Sequence, residues 1–284
     1  MTAPQAVVDW CRREGHGAVS RLEDVGGGCI NQGRRLCAAD GSSFFLKTND
    51  SAPPGMFEAE AVGLEALARE GTPRLPKPYL WADDFLLIED LEPAPRAEDF
   101  WPGLGRRLAA LHDHTSPQFG FDRDNFIGRT PQPNPWTDDG YAFFAEQRLL
   151  FQARLARDGD LLPAADQRRV EAVARRLRDL VPDQPASLIH GDLWSGNVIA
   201  GPDGEACLID PAAHFGWAEA ELGMTELFGG FDADFYRGYL EVRRMAEGWR
   251  ERLPLYNLYH LMNHLNLFGE GYLASVRRVL DRFA

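Results

Sequence analysis

The chain has 284 residues, enough for one sizeable core or two lobes, and at 44% hydrophobic and 26% charged it has a globular composition. Its formal net charge of −13 excludes nucleic acid and an anionic membrane as main partners, since both need a basic footprint; an anionic substrate can still bind through local cations and metal. No apolar run approaches the roughly 20 residues that span a bilayer. The N-terminus MTAPQAVVDWCRREG is charged and amphipathic rather than signal-like, which predicts a cytoplasmic protein. Cys11, Cys29, Cys37 and Cys207 fit neither a zinc spacing nor a dense disulfide framework, so reduced thiols are expected.

In chain order, residues 5–14 read as a short helix. From Leu22 two apolar segments joined by Asp40-Gly41 predict a β-hairpin, preceded by the glycine run Gly26, Gly27, Gly28. MFEAEAVGLEALARE predicts a helix with Phe57, Ala61, Leu64 and Leu67 on its buried face and Glu58, Glu65 and Glu70 largely off it. YLWADDFLLIEDLE gives two more strands around an Asp-Asp turn, so the N-terminal third is a small sheet with one helix. Pro93-Ala94-Pro95 marks a boundary, because clustered prolines break both helix and sheet. Beyond it the pattern is mainly helical, with one β island, SLIHGDLWSGNVIAGPDGEACLIDPA, turned by Pro202-Asp203-Gly204. The expectation is an α+β, two-lobed fold: a β-rich lobe over residues 1–91 and a mainly helical lobe over 92–284.

The island carries the chemistry. Residues 190–197 form a loop between two apolar strand pieces, and such loops position catalytic groups. Asn197 and Asp210 are hard oxygen ligands suited to Mg²⁺, which leaves Asp192 as a base. The spacing D-x-x-x-x-N followed by a strand-end Asp is the arrangement of protein-kinase-like phosphoryl transfer. Taken alone it would occur often by chance, and Asp192 and Asp210 could be turn or cap residues. The upstream order gives it weight. Gly26 to Gly28 lets backbone approach phosphates. Lys47 ends the strand FFL, as expected for a lysine reaching the α- and β-phosphates of ATP. Glu60, preferred over Glu58 because it neighbours the apolar face, holds that lysine. Glu89, Asp90 and Leu91 lie where an interlobe hinge would offer backbone groups to adenine.

HGDLWSGN with IDPA resembles the aminoglycoside/choline-kinase-like branch of the kinase superfamily, whose loop reads H-G-D. Neither D-F-G nor A-P-E follows Asp210, which favours a small-molecule acceptor. Over nearly its whole length the chain resembles the fructosamine (ketosamine-3) kinase family, in GGGCINQG, FEAEAVGLEAL, FGFDRDNFIGRTPQPN, FFAEQRLLFQ, HGDLWSGN, DPAAHFGWAEAELGMTELFGGF and LYHLMNHLNLFGEGY. The resemblance implies transfer of the γ-phosphate of ATP to the sugar 3-hydroxyl of a free or protein-bound ketosamine, followed by loss of the amine, a deglycation. The segment His214–Glu221 departs from the form expected there, DPAxYYGHREADLAMTELF, notably at Phe215, Trp217, Ala218 and Glu221. If it lines the acceptor pocket, substrate range changes; if it supports the loop, it does not.

Beside the base, Trp194 could stack on a sugar face or pack in the core, and Trp217 carries the same two readings. His190 reads as a hydrogen-bonded brace. His260 and His264 share a helical face but lack a third ligand, so they read as packing residues. Cys29, next to the glycine run, is a candidate redox thiol that could block ATP or link two copies into a homodimer; otherwise a monomer is expected. Cys37 and Cys207 read as buried and inert. Two alternatives stay open: a kinase of an aminoglycoside, choline-like or other hydroxyl compound, and a nucleotide-binding module without catalysis.

Overall fold

The computed structural model describes residues 2–26 and 31–284. Its N-terminal part contains α1 (Gln5–Arg13), β1 (Val19–Val25), β2 (Gln32–Ala38), β3 (Ser43–Thr48), α2 (Met56–Leu67), β4 (Pro78–Trp81) and β5 (Phe85–Glu89). The strands form one antiparallel sheet in the order β1-β2-β3-β5-β4.

Strand alternation in β3 decides where the key cation goes, because successive side chains take opposite faces. Phe44 and Leu46 pack with Val7, Trp10 and Leu36 beneath α1. Phe45 packs on the other side, against the main core, and Lys47 shares that face. There α2 buries Phe57, Ala61, Leu64 and Leu67 in the same core, as its periodicity predicts.

After the proline cluster come α3 (Phe100–His112), β6 (Thr115–Ser116), β7 (Asn125–Ile127), β8 (Thr130–Gln132), α4 (Gly140–Phe144), a π-helical turn (Ala145–Leu150), α5 (Phe151–Asp158), α6 (Ala164–Arg175) and α7 (Leu177–Leu180). The island follows as β9 (Ala186–Ile189), β10 (Val198–Ala200), β11 (Ala206–Leu208) and β12 (His214–Gly216), then α8 (Ala218–Glu226), α9 (Ala233–Val242), α10 (Trp249–Phe268) and α11 (Leu273–Phe283). Helices α3 and α9 touch backbone to backbone: a Cβ at Gly105 would lie 2.1 Å from the Phe235 carbonyl oxygen, and one at Gly238 2.1 Å from that of Pro102. Among the described residues no helix is long and apolar enough to cross a membrane.

This part holds more β structure than the single island expected from sequence. The hairpin β10-β11 is there, but β9 also pairs with β12 and β6, and β7 pairs with β8. The additional strands are two or three residues long, too short for a two-residue period to show in sequence.

His112, His190, His214 and His260 are buried in this core. Burial holds all four below the ordinary histidine value, His260 at about 3. A group whose folded pKa is depressed is protonated first in the unfolded chain, so stability is present above the unfolded value of about 6.5 and is lost as pH falls below it. Each such histidine contributes a slope of up to about 1.4 kcal/mol per pH unit. The opposite, upward shifts of Asp192 and Glu60 offset part of this. Thermal unfolding from pH 7.5 to 5 will therefore show a falling Tm from near pH 6.5; a flat Tm over that range would contradict the neutral buried histidines.

Candidate active site

The loop between β9 and β10 is fixed by its own backbone requirements. Gly191 has φ +83°, and a Cβ there would sit 2.2 Å from the Ala212 carbonyl oxygen, so only glycine fits between His190 and Asp192. His190 is the brace its position suggested. Its Nε2 donates to the Ile209 carbonyl at 2.9 Å, which leaves Nδ1 to accept the Asp192 N–H at 3.2 Å. The Ile209 N–H donates in turn to the Asn197 carbonyl at 3.1 Å. One histidine thus ties the loop to the strand end that carries Asp210.

A second clamp is Glu221, which the sequence marks only as one of the departures in the 214–221 segment. The Glu221 carboxylate, fully buried on α8, accepts the His190 and Gly191 backbone N–H groups at 2.8 and 2.7 Å. It also accepts from His112 Nε2 at 3.1 Å, and the Tyr239 hydroxyl donates to His112 Nδ1 at 2.8 Å. Despite burial these donors hold Glu221 below its usual value, whereas burial keeps His112 neutral. A carboxylate in the buried run AEAELGMTE was the available signal, since a buried charge needs built partners.

The structure brings together Lys47, Glu60, Asp192, Asn197 and Asp210. Lys47 Nζ lies 2.5 Å from Glu60 Oε1 and is bonded also to Asp210 Oδ1. Burial works against the ammonium, but Asp210 and Glu60 outweigh it and raise Lys47 above the ordinary lysine value. Glu58, the competitor, faces solvent and pairs with Arg123 at 3.2 Å. Asp210 has φ +58°, a strained value for a non-glycine residue, and its side chain is 48% exposed. Asn197 Nδ2 donates to the Asp192 carbonyl at 2.8 Å and to Asp192 Oδ2 at 3.2 Å, which leaves its own amide oxygen as the candidate ligand atom. The Asn197 and Asp210 oxygens are hard donors that fit Mg²⁺. Burial, reinforced by the Asp210 charge, pushes Asp192 up to about 7.

At the end of β5, the side chains of Glu89 and Asp90 are committed: Glu89 to Arg74 at 2.6 Å, Asp90 to Arg35 through two bonds of 2.5 and 3.1 Å. Any ligand contact at Glu89, Asp90 and Leu91 therefore falls to backbone, and Glu89 N–H already donates to the Lys77 carbonyl at 2.8 Å. Gly26 has open space where a Cβ would stand; Gly27, Gly28 and Cys29 lie outside the described residues. Cys207 is buried and its thiol is pushed up to about 12, whereas Cys37 is only half-buried and accepts from Arg21 at 3.7 Å, so its expected burial does not hold.

Trp194 is half-buried, lies over Gly196 and meets Phe228 edge-on at 6.2 Å. The stacking role considered for Trp217 is corrected. Its indole is 3% exposed, among Tyr141, Phe144, Tyr256 and Phe119, where no sugar reaches it. With His214, Ala218 and Glu221 also buried, most of the altered 214–221 segment supports the loop from behind. Beneath it runs a network that sequence reasoning missed. Asn125 and Gln132 donate to the carbonyls of Ala213 and Ala212, Asn134 joins Asn125, and Arg148, 1% exposed on the π-helical turn, donates to Asn134 at 2.7 Å. It hangs the segment after Asp210 from the conformation of a separate hairpin.

A buried lysine paired with a helix glutamate, a half-buried aspartate on a short loop and an Asn/Asp oxygen pair suit phosphoryl transfer, in a two-lobed, protein-kinase-like α+β fold. The fructosamine kinase family model matches residues 5–284. A probable ketoamine kinase of Synechocystis is 44% identical over 272 residues, covering 93% of this chain and 90% of its own length. A chloroplastic protein-ribulosamine 3-kinase of Arabidopsis thaliana is 38% identical over 292 residues, covering 97% and 86%. The crystal structure of a Thermobifida fusca protein assigned as a fructosamine-3-kinase superposes with a TM-score of 0.89 at 36% identity, covering 98% of both chains. The chain belongs to the fructosamine kinase family and is an ATP-dependent kinase.

Two outcomes follow from the geometry. In metal-free protein, ¹³C-carboxylate NMR will find Asp192 titrating near pH 7, and Asp210→Asn will move the midpoint down by removing the facing charge; an unmoved midpoint contradicts that pairing. Glu221→Gln turns an amide N–H₂ toward groups that need an acceptor, at a cost of about 1–3 kcal/mol. Its kcat will fall at least about tenfold with the nucleotide KM nearly unchanged; wild-type kcat would show that Glu221 is not needed to set the loop.

Proposed function

We propose that the protein phosphorylates the sugar 3-hydroxyl of ketosamines from Mg²⁺-ATP, and that the phosphorylated product then loses its amine, so that the activity deglycates small molecules or proteins. The observation that carries the chemistry is the placement of Asp192, hydrogen-bonded to Asn197 and facing the charge of Asp210, which is itself joined to Lys47 and Glu60. The acceptor class is supported by the ketoamine and ribulosamine kinases to which the chain is similar.

On this reading residues 1–91 bind the nucleotide and 92–284 supply catalysis and the acceptor site. Gly26, Gly27 and Gly28 cover the phosphates, Lys47 held by Glu60 engages them, and backbone at Asp90 and Leu91 takes the adenine. Asn197 and Asp210 hold Mg²⁺, which when bound neutralises charge on the phosphates. Asp192 orients the acceptor hydroxyl and takes its proton as the new P–O bond forms and the bond to the departing ADP oxygen breaks.

ATP consumption by the purified protein, with fructosyl-lysine, ribulosyl-lysine, kanamycin, choline or no acceptor, tests the reading. Turnover is expected on a ketosamine and a loss of about 10²–10⁴-fold in Asp192→Ala. Turnover confined to kanamycin or choline would overturn the acceptor class, and an undiminished Asp192→Ala would overturn the base.

A further inference from the structure

Next to Trp194 lies an aromatic cluster that the phosphoryl-transfer parts do not use. Phe228 follows α8, and His264, Phe268 and Tyr272 come from the end of α10 and the turn after it. Phe228 meets Trp194 at 6.2 Å, His264 at 4.6 Å and Tyr272 at 6.4 Å between ring centroids; His264 meets Phe268 at 5.4 Å and Tyr272 at 5.1 Å. This is not a core. Phe228 is 36% and Phe268 53% exposed, although they are among the largest apolar side chains in the molecule. Phe228 also sits at φ +54°, a conformation costly for a bulky side chain and characteristic of sites where geometry is held for use.

The segments that carry the rings hold no lysine or arginine of their own: the loop 226–232 has Glu226 and Asp232, and residues 263–272 have Glu270. Glu226 is paired with Arg250 at 2.9 Å, and Arg277 and Arg278 lie on the Glu270 side. Elsewhere the chain places its own guanidinium groups over aromatic rings, Arg250 over Tyr236 and Trp249, Arg178 over Tyr141, Arg96 over Phe100 and Trp101. Among the described residues none lies over Phe228, Phe268 or Tyr272 within such a distance. His264 Nδ1 donates to the His260 carbonyl at 2.8 Å, so its Nε2 is the acceptor. Open aromatic faces and a neutral imidazole acceptor suit an alkylammonium ion.

We infer that Phe228, His264, Phe268 and Tyr272 form the binding site for the ammonium-bearing aglycone of the acceptor. This rests on the ketosamine reading, in which the substrate amine is attached four bonds from the reacting 3-oxygen. With that oxygen at Asp192 and the sugar over Trp194, the amine and its alkyl chain extend onto the cluster. The site then recognises the amine, not the sugar, and accepts fructosyl and ribulosyl derivatives alike.

Phe268→Ala removes an exposed ring without opening the core. Compared with wild type it will raise KM for fructosyl-lysine about tenfold. Its kcat, its KM for ATP and its KM for 1-deoxyfructose, which keeps the 3-hydroxyl but lacks the amine, will stay within about twofold. Phe268→Tyr will restore the ketosamine KM. An equal rise for both acceptors, or for neither, overturns the inference. Saturation-transfer NMR with Nε-methyl-lysine reads the site without turnover: signal in wild type that is lost in Phe268→Ala supports it, and no signal, or equal signal in both, overturns it. A wild type that gives the signal but phosphorylates no ketosamine would overturn the proposed function and leave the ammonium site standing.

Discussion

A buried ammonium group between two carboxylates holds this active site together. Lys47 comes from the sheet, Glu60 from the helix packed on it, and Asp210 from the far end of the β10-β11 hairpin. Of the 30 basic residues only Lys47 and Lys77 are lysines, so the chain uses arginine almost everywhere else. At position 47 a compact point charge can sit between two oxygens from different directions, where a planar guanidinium would demand a fork of acceptors. Removing the ammonium would strand the Glu60 charge in the interior, and removing both carboxylates would strand the ammonium, whereas Asp210, half-exposed, reaches Lys47 from the cleft side. The cluster links the β-rich part to the catalytic loop.

The rest of the structure supports that cluster from behind. Glu221 and His112 fix the backbone at His190 and Gly191, and His190 transmits the fixed position to Ile209 beside Asp210. Asn125, Gln132, Asn134 and Arg148 suspend Ala212 and Ala213, just past Asp210. Every donor in these supports is neutral or fully buried. The acidic, exposed groups of the site are thereby confined to the cleft, where a cation and phosphates are to bind on the proposed reading.

The residues that meet at the candidate site were legible in the sequence because each has a local cause: strand alternation puts Lys47 on the face of α2, helical periodicity separates Glu60 from Glu58, and Gly191 marks a backbone contact. The hairpin at Asp40-Gly41 and the helix over 56–67 were readable for the same reason. What joins distant segments was not. Glu221 and His112 meet across 109 positions, and Asn125 reaches Ala213 across 88, and neither leaves a periodic trace. Trp217 misleads in sequence because its neighbours in the chain resemble a pocket lining, whereas tertiary packing surrounds it with four other aromatic rings. The short strands β6 to β8 and β12 are set by partners rather than by their own pattern.

The most direct measurement is a crystal structure with Mg²⁺ and a non-hydrolysable ATP analogue. The account predicts that Lys47 keeps Glu60 and exchanges Asp210 for phosphate oxygens, while Asp210 and the Asn197 carbonyl both turn to the metal and Asp192 stays open to the acceptor. Phosphates bound away from Lys47, or a metal held by other residues, would contradict it.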